Sequence, residues 1–273
     1  MRRRLDSELV RRGLAGSRAE AQAAVEAGLV MVGGRPAGKP STLVASSEPV
    51  AVAGPARRFV SRGGEKLEAA IERFGIDPSG LDCLDAGAST GGFTDCLLRH
   101  GAARVVAVDV GYGQLAWALR KDPRVVVMER TNVRNLGPGD LPFAPALVVA
   151  DLSFIPLALA IPSLTGVATP GAAFVVLVKP QFEVGPERVG RGGVVRDPDS
   201  WRLALDSVAG AFADRGLRPT AAMASPVLGP AGNVEFLMLA GGQVVPEGAT
   251  TGLDVDAVIA EGAAARGRSG SDG

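Results

Sequence analysis

The stretch that decides the fold is Leu81–Leu98, which reads LDCLDAGASTGGFTDCLL. A short apolar run ending in Asp85 is followed by a loop of small residues and then by an apolar-periodic segment that starts near Phe93. This order predicts a β-strand that turns tightly into an α-helix. Such a turn brings bare backbone N–H groups and the positive end of a helix against a ligand. The stretch therefore predicts a ligand site in an α/β domain.

Downstream of this stretch, short apolar runs alternate with helical patterns. The predicted strands span residues 82–85, 104–109, 125–128, 146–151, 173–179, 220–225 and 234–240. Near-continuous Val, Leu and Ala in such runs is typical of strands buried on both faces of a parallel sheet. We therefore predict a Rossmann-like α/β domain over residues 65–243, with a doubly wound, mostly parallel sheet of seven strands. Residues 244–273 are rich in Gly, Ala, Ser and Asp and are predicted to be a disordered tail.

The N-terminal residues 1–55 predict a separate small module, joined to the α/β domain by a linker over residues 56–64. Helical patterns cover residues 5–15 and 18–27, with Ser17 and Glu20 spaced as a capping box, and short extended segments follow. Up to Lys66 the chain has 12 basic and 6 acidic residues, and the remainder has 17 and 23. A basic head on an acidic body indicates a polyanionic partner, most simply nucleic acid. A solvated basic face is the alternative.

Composition excludes several classes of protein. The two cysteines, Cys83 and Cys96, and the single histidine, His100, cannot make a disulfide framework, a zinc site or a His-based triad, so no metal is expected. The chain starts without the apolar segment of a secretory signal, and its longest apolar runs are short or interrupted by Asp151 and prolines. We therefore expect a soluble, cytoplasmic protein that does not engage membranes.

Three ligand classes compete for the glycine loop. No Gly-Lys-Ser/Thr closes the loop as in a phosphate-binding loop, and the spacing of Gly87, Gly91 and Gly92 does not fit the GxGxxG dinucleotide pattern. The pattern acid-x-Gly-x-x-x-Gly-Gly is instead typical of S-adenosylmethionine methyltransferases. Asp109, at the end of the second strand, is placed to bind the ribose hydroxyls. The predicted cofactor-binding residues are Asp85, Gly87, Ala88, Ser89, Thr90, Gly91, Gly92, Phe93, Asp109, Val110, Asn132, Val133 and Asp151.

Two charged residues interrupt otherwise apolar strands. Lys179 ends the fifth predicted strand, and Glu235 lies in the last one. A charge in such a position is costly unless it faces the ligand cleft. Unlike a guanidinium group, a lysine amine can lose its proton in a desolvated or cationic environment, so Lys179 is a candidate for acid–base chemistry.

The module over residues 1–55 resembles an S4 RNA-binding domain. The resemblance rests on Arg4-Leu5-Asp6, on Ser17-Arg18 with Ala21, on Gly28-Leu29-Val30 and on Lys39-Pro40. S4 domains use basic side chains of their helices and loops to contact phosphates, which agrees with the local excess of positive charge. The resemblance implies that the RNA-binding residues are Arg3, Arg4, Arg11, Arg12, Arg18 and Lys39.

The chain as a whole resembles the TlyA family of ribosomal RNA methyltransferases, whose members are also labelled hemolysins. The motifs SRGGEKL, DAGASTGGFTD, ADLSFI, VKPQFE and GNVEF carry this resemblance over roughly residues 1–241. Lys66, Asp151, Lys179 and Glu235 resemble the Lys-Asp-Lys-Glu tetrad of FtsJ-like ribose 2′-O-methyltransferases. The resemblance implies methyl transfer from S-adenosylmethionine to a cytidine 2′-hydroxyl of ribosomal RNA. In this reading Lys179 acts on the hydroxyl, Asp151 holds Lys179, and Lys66 and Glu235 orient the lysine and the ribose.

One departure from the family pattern and two competing functions remain. The family's linker usually carries Trp in an Arg-x-Trp-Val stretch, where this chain has Phe59, which lacks the indole N–H donor. A methyltransferase acting on a small molecule or a protein is one alternative function. A membrane-acting, hemolysin-like protein is the other.

Overall fold

The computed structural model describes residues 2–15, 18–53, 58–229, 231–242 and 253–269. Two sheet-bearing parts are present, one before residue 54 and one after residue 57. Ser17, one half of the predicted capping box, lies outside the described residues, as does part of the predicted linker.

The first part consists of two short helices and five short strands. They are β1 (Arg2–Arg4), α1 (Leu5–Arg11), α2 (Arg18–Glu26), β2 (Val30–Val32), β3 (Arg35–Pro36), β4 (Leu43–Ala45) and β5 (Val50–Val52). Strand β2 pairs antiparallel with β3 and β5, and β1 pairs with β4. Leu5, Leu9 and Val25 are buried together because their spacing puts them on the helix faces that meet the strands. Helix α1 is shorter than predicted and is followed by Gly13 at φ +71°.

The second part alternates strands and helices. Its strands are β6 (Asp82–Ala86), β7 (Arg104–Val108), β8 (Val125–Met128), β9 (Leu147–Ala150), β10 (Ala173–Val178), β11 (Pro219–Ala224) and β12 (Phe236–Gly241). Its helices are α3 (Gly63–Phe74), α4 (Gly92–Arg99), α5 (Trp117–Arg120), α6 (Ile161–Val167), α7 (Pro180–Glu183), α8 (Pro198–Ala213) and α9 (Val255–Ser269). Short 3-10 turns occupy Val133–Asn135, Leu157–Leu159 and Pro186–Arg188.

The seven strands form one sheet in the order β11-β12-β10-β9-β6-β7-β8. All neighbouring pairs from β10 to β8 are parallel, and β12 runs antiparallel to both of its neighbours. The chain moves outward from β6 to β7 and β8 and then returns to the other side of β6 with β9. Ligands bind in open α/β sheets at such a reversal, beyond the carboxyl ends of the strands. The predicted seven-stranded, mostly parallel sheet is confirmed.

Apolar side chains cover both faces of this sheet. One layer joins Val106, Val148 and Val176 to α6 and α8, and the other joins Val105, Val149 and Val175 to α3 and α4. Successive strand residues point to opposite faces, so these continuous apolar runs fill both layers. The arrangement is the doubly wound one that the sequence predicts.

The C-terminal residues differ from the prediction. Residues 255–269, expected to lie in a disordered tail, form helix α9, which packs against β11 and α8. Val258 is buried in this contact, so a small number of apolar residues is enough to dock a segment of otherwise tail-like composition. Among the described residues, no helix combines the length and apolar character needed to cross a bilayer.

Candidate active site and nucleic-acid interface

The loop between β6 and α4 needs glycine at two positions. Gly87 has φ +85°, and a Cβ atom there would lie 2.5 Å from the carbonyl oxygen of Asp151. Gly91 has φ +96°, and its Cβ would lie 2.3 Å from Leu119 Cδ1. Residues with a Cβ atom rarely adopt such φ angles, and at these two positions the Cβ atom would also collide with Asp151 or Leu119. The loop is therefore shaped by close approach to the segment after β9 and to α5.

The loop's backbone donors are largely used within the protein, contrary to the expectation of bare N–H groups. Gly87 and Ala88 donate to the Val108 carbonyl at 2.8 and 3.0 Å, and Gly91 donates to the Ala88 carbonyl at 2.7 Å. Ser89 donates to Asp109 Oδ2 at 2.8 Å. The reason is that the loop folds onto the end of β7, whose carbonyl and carboxylate groups lie within reach. The loop therefore contributes to the shape of the cleft, and most of its backbone N–H groups are not free to bind a ligand.

A cleft of about 450 Å³ opens beside this loop at the carboxyl ends of β6, β7 and β9. Seven of the predicted cofactor residues line it, namely Gly87, Ser89, Asp109, Val110, Asn132, Val133 and Asp151. Six further residues line it that the sequence analysis did not name, namely Gln114, Thr131, Leu152, Ser153, Phe154 and Ile155. The acidic residues at the strand ends could have pointed to these six residues, because each of the six follows Asp109 or Asp151 in the sequence or lies near Asn132.

The remaining predicted cofactor residues do not line the cleft. Ala88, Gly91, Gly92 and Phe93 are buried, and neither they nor Thr90 line the cleft. Asp85 is fully buried, with its Oδ2 accepting from Thr94 Oγ1 at 2.6 Å and its Oδ1 unpaired. Burial raises the pKa of this carboxyl to about 7. Asp85 therefore binds Thr94 of α4 in the interior and does not line the cleft.

Asp109 joins the two loops that flank the cleft. Its Oδ2 accepts from the Ser89 N–H, and its Oδ1 accepts from the Gly111 N–H at 2.6 Å. Each carboxylate oxygen can accept more than one hydrogen bond, so both keep capacity for a ligand's hydroxyl groups. The side chain thus fixes the rim of the cleft and also lines it.

Lys179 and Asp151 form an ion pair next to the cleft. Lys179 Nζ lies 2.5 Å from Asp151 Oδ1, a contact that has the distance of an ion pair but not the angles of a hydrogen bond. The ammonium instead donates to Ser153 Oγ at 2.8 Å. Lys179 is 8% exposed, so its charge is nearly desolvated and depends on these partners. Ser153, which lies in the ADLSFI motif two residues after Asp151, was not among the predicted site residues.

Lys66 and Glu235 form a second, deeper ion pair. Lys66 Nζ donates to Glu235 Oε2 at 2.5 Å, and the two residues are 7% and 1% exposed. Glu235 immediately precedes β12 and Lys179 immediately follows β10, and Val178 pairs with Phe236 in the antiparallel register. Glu235 and Lys179 are therefore neighbours across the two strands. The four residues of the predicted tetrad meet at one edge of the sheet as two ion pairs.

An exposed aromatic side chain stands at the mouth of the cleft. Phe154 is 87% exposed and has φ +68°, an uncommon conformation for a residue other than glycine. Its ring contacts that of Phe182, with centroids 5.2 Å apart, and Lys179 Nζ lies 6.0 Å from the Phe182 centroid. Phe154 and Phe182 therefore form an apolar surface beside Lys179 of the tetrad.

The linker residue Phe59 is buried. It packs over Gly64, where a Cβ atom would lie 2.3 Å from Phe59 Cγ. The guanidinium groups of Arg58 and Arg99 lie 5.5 and 5.4 Å from its ring centroid. The next residue, Val60, donates its N–H to Asp95 Oδ2 at 2.9 Å. The linker is thereby attached to α4, the helix that follows the glycine loop.

The basic residues of the first part have two different environments. Asp6 accepts from Arg4 at 2.8 Å and from Arg18 at 3.1 Å, and Glu8 accepts from Arg11 at 2.5 Å and Arg12 at 2.8 Å. Hydrogen bonds from Arg4 hold the pKa of Asp6 well below its usual range, and those from Arg11 lower the pKa of Glu8 to about 2. The helices therefore form compact charge networks as well as a basic surface.

Arg12, which was predicted to contact phosphate, is instead bonded within the protein. Besides Glu8, its guanidinium donates to the carbonyls of Glu48, Ala45 and Ser46 at 2.8–3.1 Å. These bonds tie α1 to the turn after β4 and use the donors that a phosphate would need. Arg3 and Lys39, by contrast, are exposed and have no ion pair among the described residues. Arg2 and Arg35, which the sequence analysis did not select, share that environment.

No three His, Cys, Asp or Glu side chains within the described ranges cluster as a metal would require.

The fold and the cleft define the class of protein: a Rossmann-like α/β domain with the sheet order of methyltransferases, preceded by a small basic module.

Comparison with known proteins identifies the family. Residues 59–242 match the FtsJ-like methyltransferase family and residues 3–50 match the S4 domain. The 16S/23S rRNA (cytidine-2′-O)-methyltransferase TlyA of Mycobacterium tuberculosis is 53% identical over 238 residues, covering 87% of this chain and 89% of that protein. Hemolysin A of Brachyspira hyodysenteriae is 37% identical over 86% of this chain and 98% of that protein. A solved structure from Streptococcus thermophilus, described as a candidate hemolysin, has a TM-score of 0.78, with 36% identity over 99% of this chain and 98% of that one. The chain belongs to the TlyA family of FtsJ-like methyltransferases that carry an N-terminal S4 domain.

Proposed function

We propose that the chain is an S-adenosylmethionine-dependent ribosomal RNA methyltransferase that modifies the 2′-hydroxyl of a cytidine. One observation carries the proposal: the ion pairs Lys179–Asp151 and Lys66–Glu235 lie together at the edge of the sheet that also bears the cleft. A methyltransferase acting on a small molecule or a protein has no need of this tetrad. The identity with a relative named as an rRNA (cytidine-2′-O)-methyltransferase supports the same substrate here.

The cleft's residues fit S-adenosylmethionine. Its volume, about 450 Å³, lies in the range of about 300–1,000 Å³ that is usual for small-molecule sites. The glycine loop uses its N–H groups internally, which suits a cofactor without phosphate groups better than a dinucleotide. Asp109 would hold the ribose hydroxyls, and Asn132 and Val133 would flank the adenine.

The chain's own residues then have to orient one hydroxyl and manage its proton. When bound, the cofactor supplies an electrophilic methyl group on a sulfonium. Lys179 is the group that acts on the hydroxyl. As the ammonium held by Asp151 it stabilises the negative charge that develops on the oxygen, and as the neutral amine it accepts the hydroxyl's proton. Asp151 and Ser153 hold the Lys179 side chain in place. Lys66 on α3 and Glu235 before β12, fixed to each other, orient the ribose next to Lys179.

The S4 domain supplies contacts to the RNA backbone in this proposal. Arg3 and Lys39 are exposed and without a carboxylate partner in the described part of the chain, so their charges are free to neutralise phosphates. Arg4, Arg11 and Arg18 are partly exposed and can add to this surface while remaining paired. Phosphate contacts orient a protein on RNA without reading sequence, so they would present the target rather than select it.

The test is methyl transfer by Lys179→Ala compared with Lys121→Ala. We expect the Lys179 variant to lose about 10²–10⁴-fold in turnover on ribosomal subunits that lack the modification, with cofactor affinity within about twofold of wild type. Lys121 lies over the Trp117 ring and does not line the cleft, so its variant should keep full activity. Wild-type turnover by Lys179→Ala would reject the assignment of that lysine.

Assays of the wild-type protein separate the competing functions. Methylation of proteins or free nucleosides, with none on ribosomal RNA, would support a methyltransferase of another substrate class. Release of dye from phospholipid vesicles by the purified protein would support a membrane-acting protein. Mapping 2′-O-methylation along ribosomal RNA by primer extension at low nucleotide concentration would identify the modified position.

A further inference from the structure

Helix α9 lies outside the region that matches the FtsJ-like family, yet it contacts the elements that carry Lys66 and Glu235. We propose that Glu261 and Gly262 of α9 are positioning residues for the Lys66–Glu235 ion pair. The inference rests on the proposed function, because it assigns these two residues a part in the same methyl transfer. It follows from contacts on both sides of the ion pair.

The first contact is between Glu261 and the helix that bears Lys66. Glu261 Oε1 accepts from Arg73 Nη2 at 2.9 Å, and Arg73 lies in the last turn of α3, seven residues after Lys66. Residues seven positions apart lie on nearly the same face of a helix, so Arg73 and Lys66 share one face of α3, with Lys66 buried near its start and Arg73 largely exposed at its end. Glu261 therefore holds the far end of α3.

The second contact links Glu261 to the backbone of Glu235. Glu261 Oε2 accepts from the Ala224 N–H at 3.3 Å, at the end of β11. The next residue, Ser225, donates its N–H to the Glu235 carbonyl at 2.8 Å. One carboxylate thus connects α3 to the strand end that fixes Glu235.

The third contact is a close approach of α9 to the two neighbours of Glu235. Gly262 is buried, and a Cβ atom there would lie 3.0 Å from both Phe236 Cε1 and Val234 Cγ1. Glu235 lies between these two residues in the chain. A larger residue at 262 would push on both of them and displace the carboxylate that holds Lys66. Gly267, on the same helix, has nothing within 4 Å of its Cβ position.

A purely structural role for α9 predicts a different outcome from a positioning role. Loss of support for the fold would lower the fraction of folded enzyme and reduce every activity together. Displacement of the Lys66–Glu235 pair would lower kcat while cofactor binding stays intact, because none of the cleft-lining residues belongs to α9 or contacts it through Gly262. Misplacement of a catalytic group by about 1 Å can cost about 10²-fold in rate.

The experiment compares Gly262→Leu with Gly267→Leu in the full-length protein. We expect Gly262→Leu to lower kcat on ribosomal RNA by about tenfold or more, with KM for S-adenosylmethionine within about twofold, and Gly267→Leu to match wild type. Glu261→Ala, which removes both polar contacts without adding volume, should show the same separation of kcat from KM. Thermal unfolding of each variant establishes that the assays are run on folded protein.

Two results would overturn the inference. One is wild-type kcat in both folded Gly262→Leu and Glu261→Ala, and the other is a loss of kcat that equals the loss of cofactor binding. Either result leaves the proposed function standing as long as the wild-type protein methylates ribosomal RNA. Failure of the wild-type protein to methylate ribosomal RNA would instead reject the proposed function.

Discussion

Lys66 and Glu235 lie 169 positions apart in the chain, and their Nζ and Oε2 atoms are 2.5 Å apart in the structure. The lysine belongs to a helix that precedes the sheet, and the carboxylate precedes the last strand of the sheet. Both side chains are nearly inaccessible to water. A buried pair of this kind brings little net stability, because the desolvation of two charges offsets their attraction. Its presence at the sheet edge is better explained by chemistry than by folding.

This balance predicts how the pair responds to mutation. Lys66→Met leaves the Glu235 carboxylate buried without its partner, and we expect the free energy of unfolding to fall by about 3 kcal/mol. The double variant Lys66→Met/Glu235→Leu replaces both charges with apolar groups and should recover most of that loss. Urea denaturation measures the stabilities, and both variants should be inactive in methyl transfer. A double variant less stable than Lys66→Met would contradict this account.

The glycine loop allows a test with a matched control. Gly87 and Gly80 both have positive φ angles, +85° and +71°, so Ala at either position carries the same kind of backbone strain. Only at Gly87 would the added Cβ meet the Asp151 carbonyl, at 2.5 Å, whereas nothing lies within 4 Å at Gly80. We expect Gly87→Ala to weaken S-adenosylmethionine binding by at least about tenfold in calorimetric titration. Gly80→Ala should bind normally and lose about 1 kcal/mol of stability. Equal affinities in the two variants would show that the close approach at Gly87 does not shape the cleft.

Glu183 predicts a pH dependence of stability. Burial raises the pKa of its carboxyl from 4.5 to about 7, while its Oε1 accepts from the Leu157 N–H at 2.9 Å. The folded protein binds this proton more tightly than the unfolded chain does. The stability that it contributes is therefore complete below pH 4.5 and is lost as the pH rises to about 7.

Glu183→Gln removes this titration and keeps an acceptor for Leu157. At pH 8 the variant should be more stable than wild type by on the order of 3 kcal/mol, and near pH 4.5 the difference should vanish. Asp85, whose carboxyl pKa is also raised by burial, is present in both proteins, so its contribution cancels in the comparison. Denaturant titrations from pH 4.5 to 8, with the exposed Glu187→Gln as the control, measure the difference. A stability difference that is constant over this range would exclude Glu183 as its source.

Variants of the basic residues in the S4 domain should fall into two kinds. Arg3→Ala and Lys39→Ala each remove an exposed charge, so each should weaken RNA binding and lower the slope of log affinity against log salt by about 1. Arg12→Ala removes bonds to Glu8 and to three backbone carbonyls. It should chiefly lower the thermal stability of the domain and leave the salt slope unchanged. Filter binding across a series of salt concentrations distinguishes the two, and a salt slope reduced in Arg12→Ala would restore that residue to the RNA interface.

Local pattern was sufficient for the architecture. Runs such as residues 105–108 and Ala173–Val178 are apolar on both faces, which suits only strands covered by helices on both sides. The acids at or just after strand ends, Asp109 and Asp151, marked the edge where the cleft lies, because parallel strands share their carboxyl edge. Strand and helix boundaries shifted by a few residues because caps and turns depend on tertiary contacts.

Burial and pairing could not be predicted in the same way. Asp85 is the acidic residue of the glycine-loop motif, but its side chain binds Thr94 in the interior. Arg12 donates to backbone carbonyls and is not free to bind phosphate. Helix α9 was missed because its composition resembles that of a disordered tail and because it is held by contacts to Arg73, Ala224 and Phe236. The positions of all these groups depend on chain segments far away in sequence.

The sequence by itself determined the seven-stranded α/β fold, the position of the glycine loop and the identity of the four charged residues that resemble a catalytic tetrad. These features follow from residue spacing and from local backbone geometry, which a short window of sequence contains. The resemblance already implied that Asp151 holds Lys179. Only the tertiary structure decided that Lys66 and Glu235 form an ion pair with each other, and that α9 packs against the residues on both sides of Glu235. The reason is physical: desolvated charges and close packing depend on which distant segments meet, and only the folded chain determines those meetings.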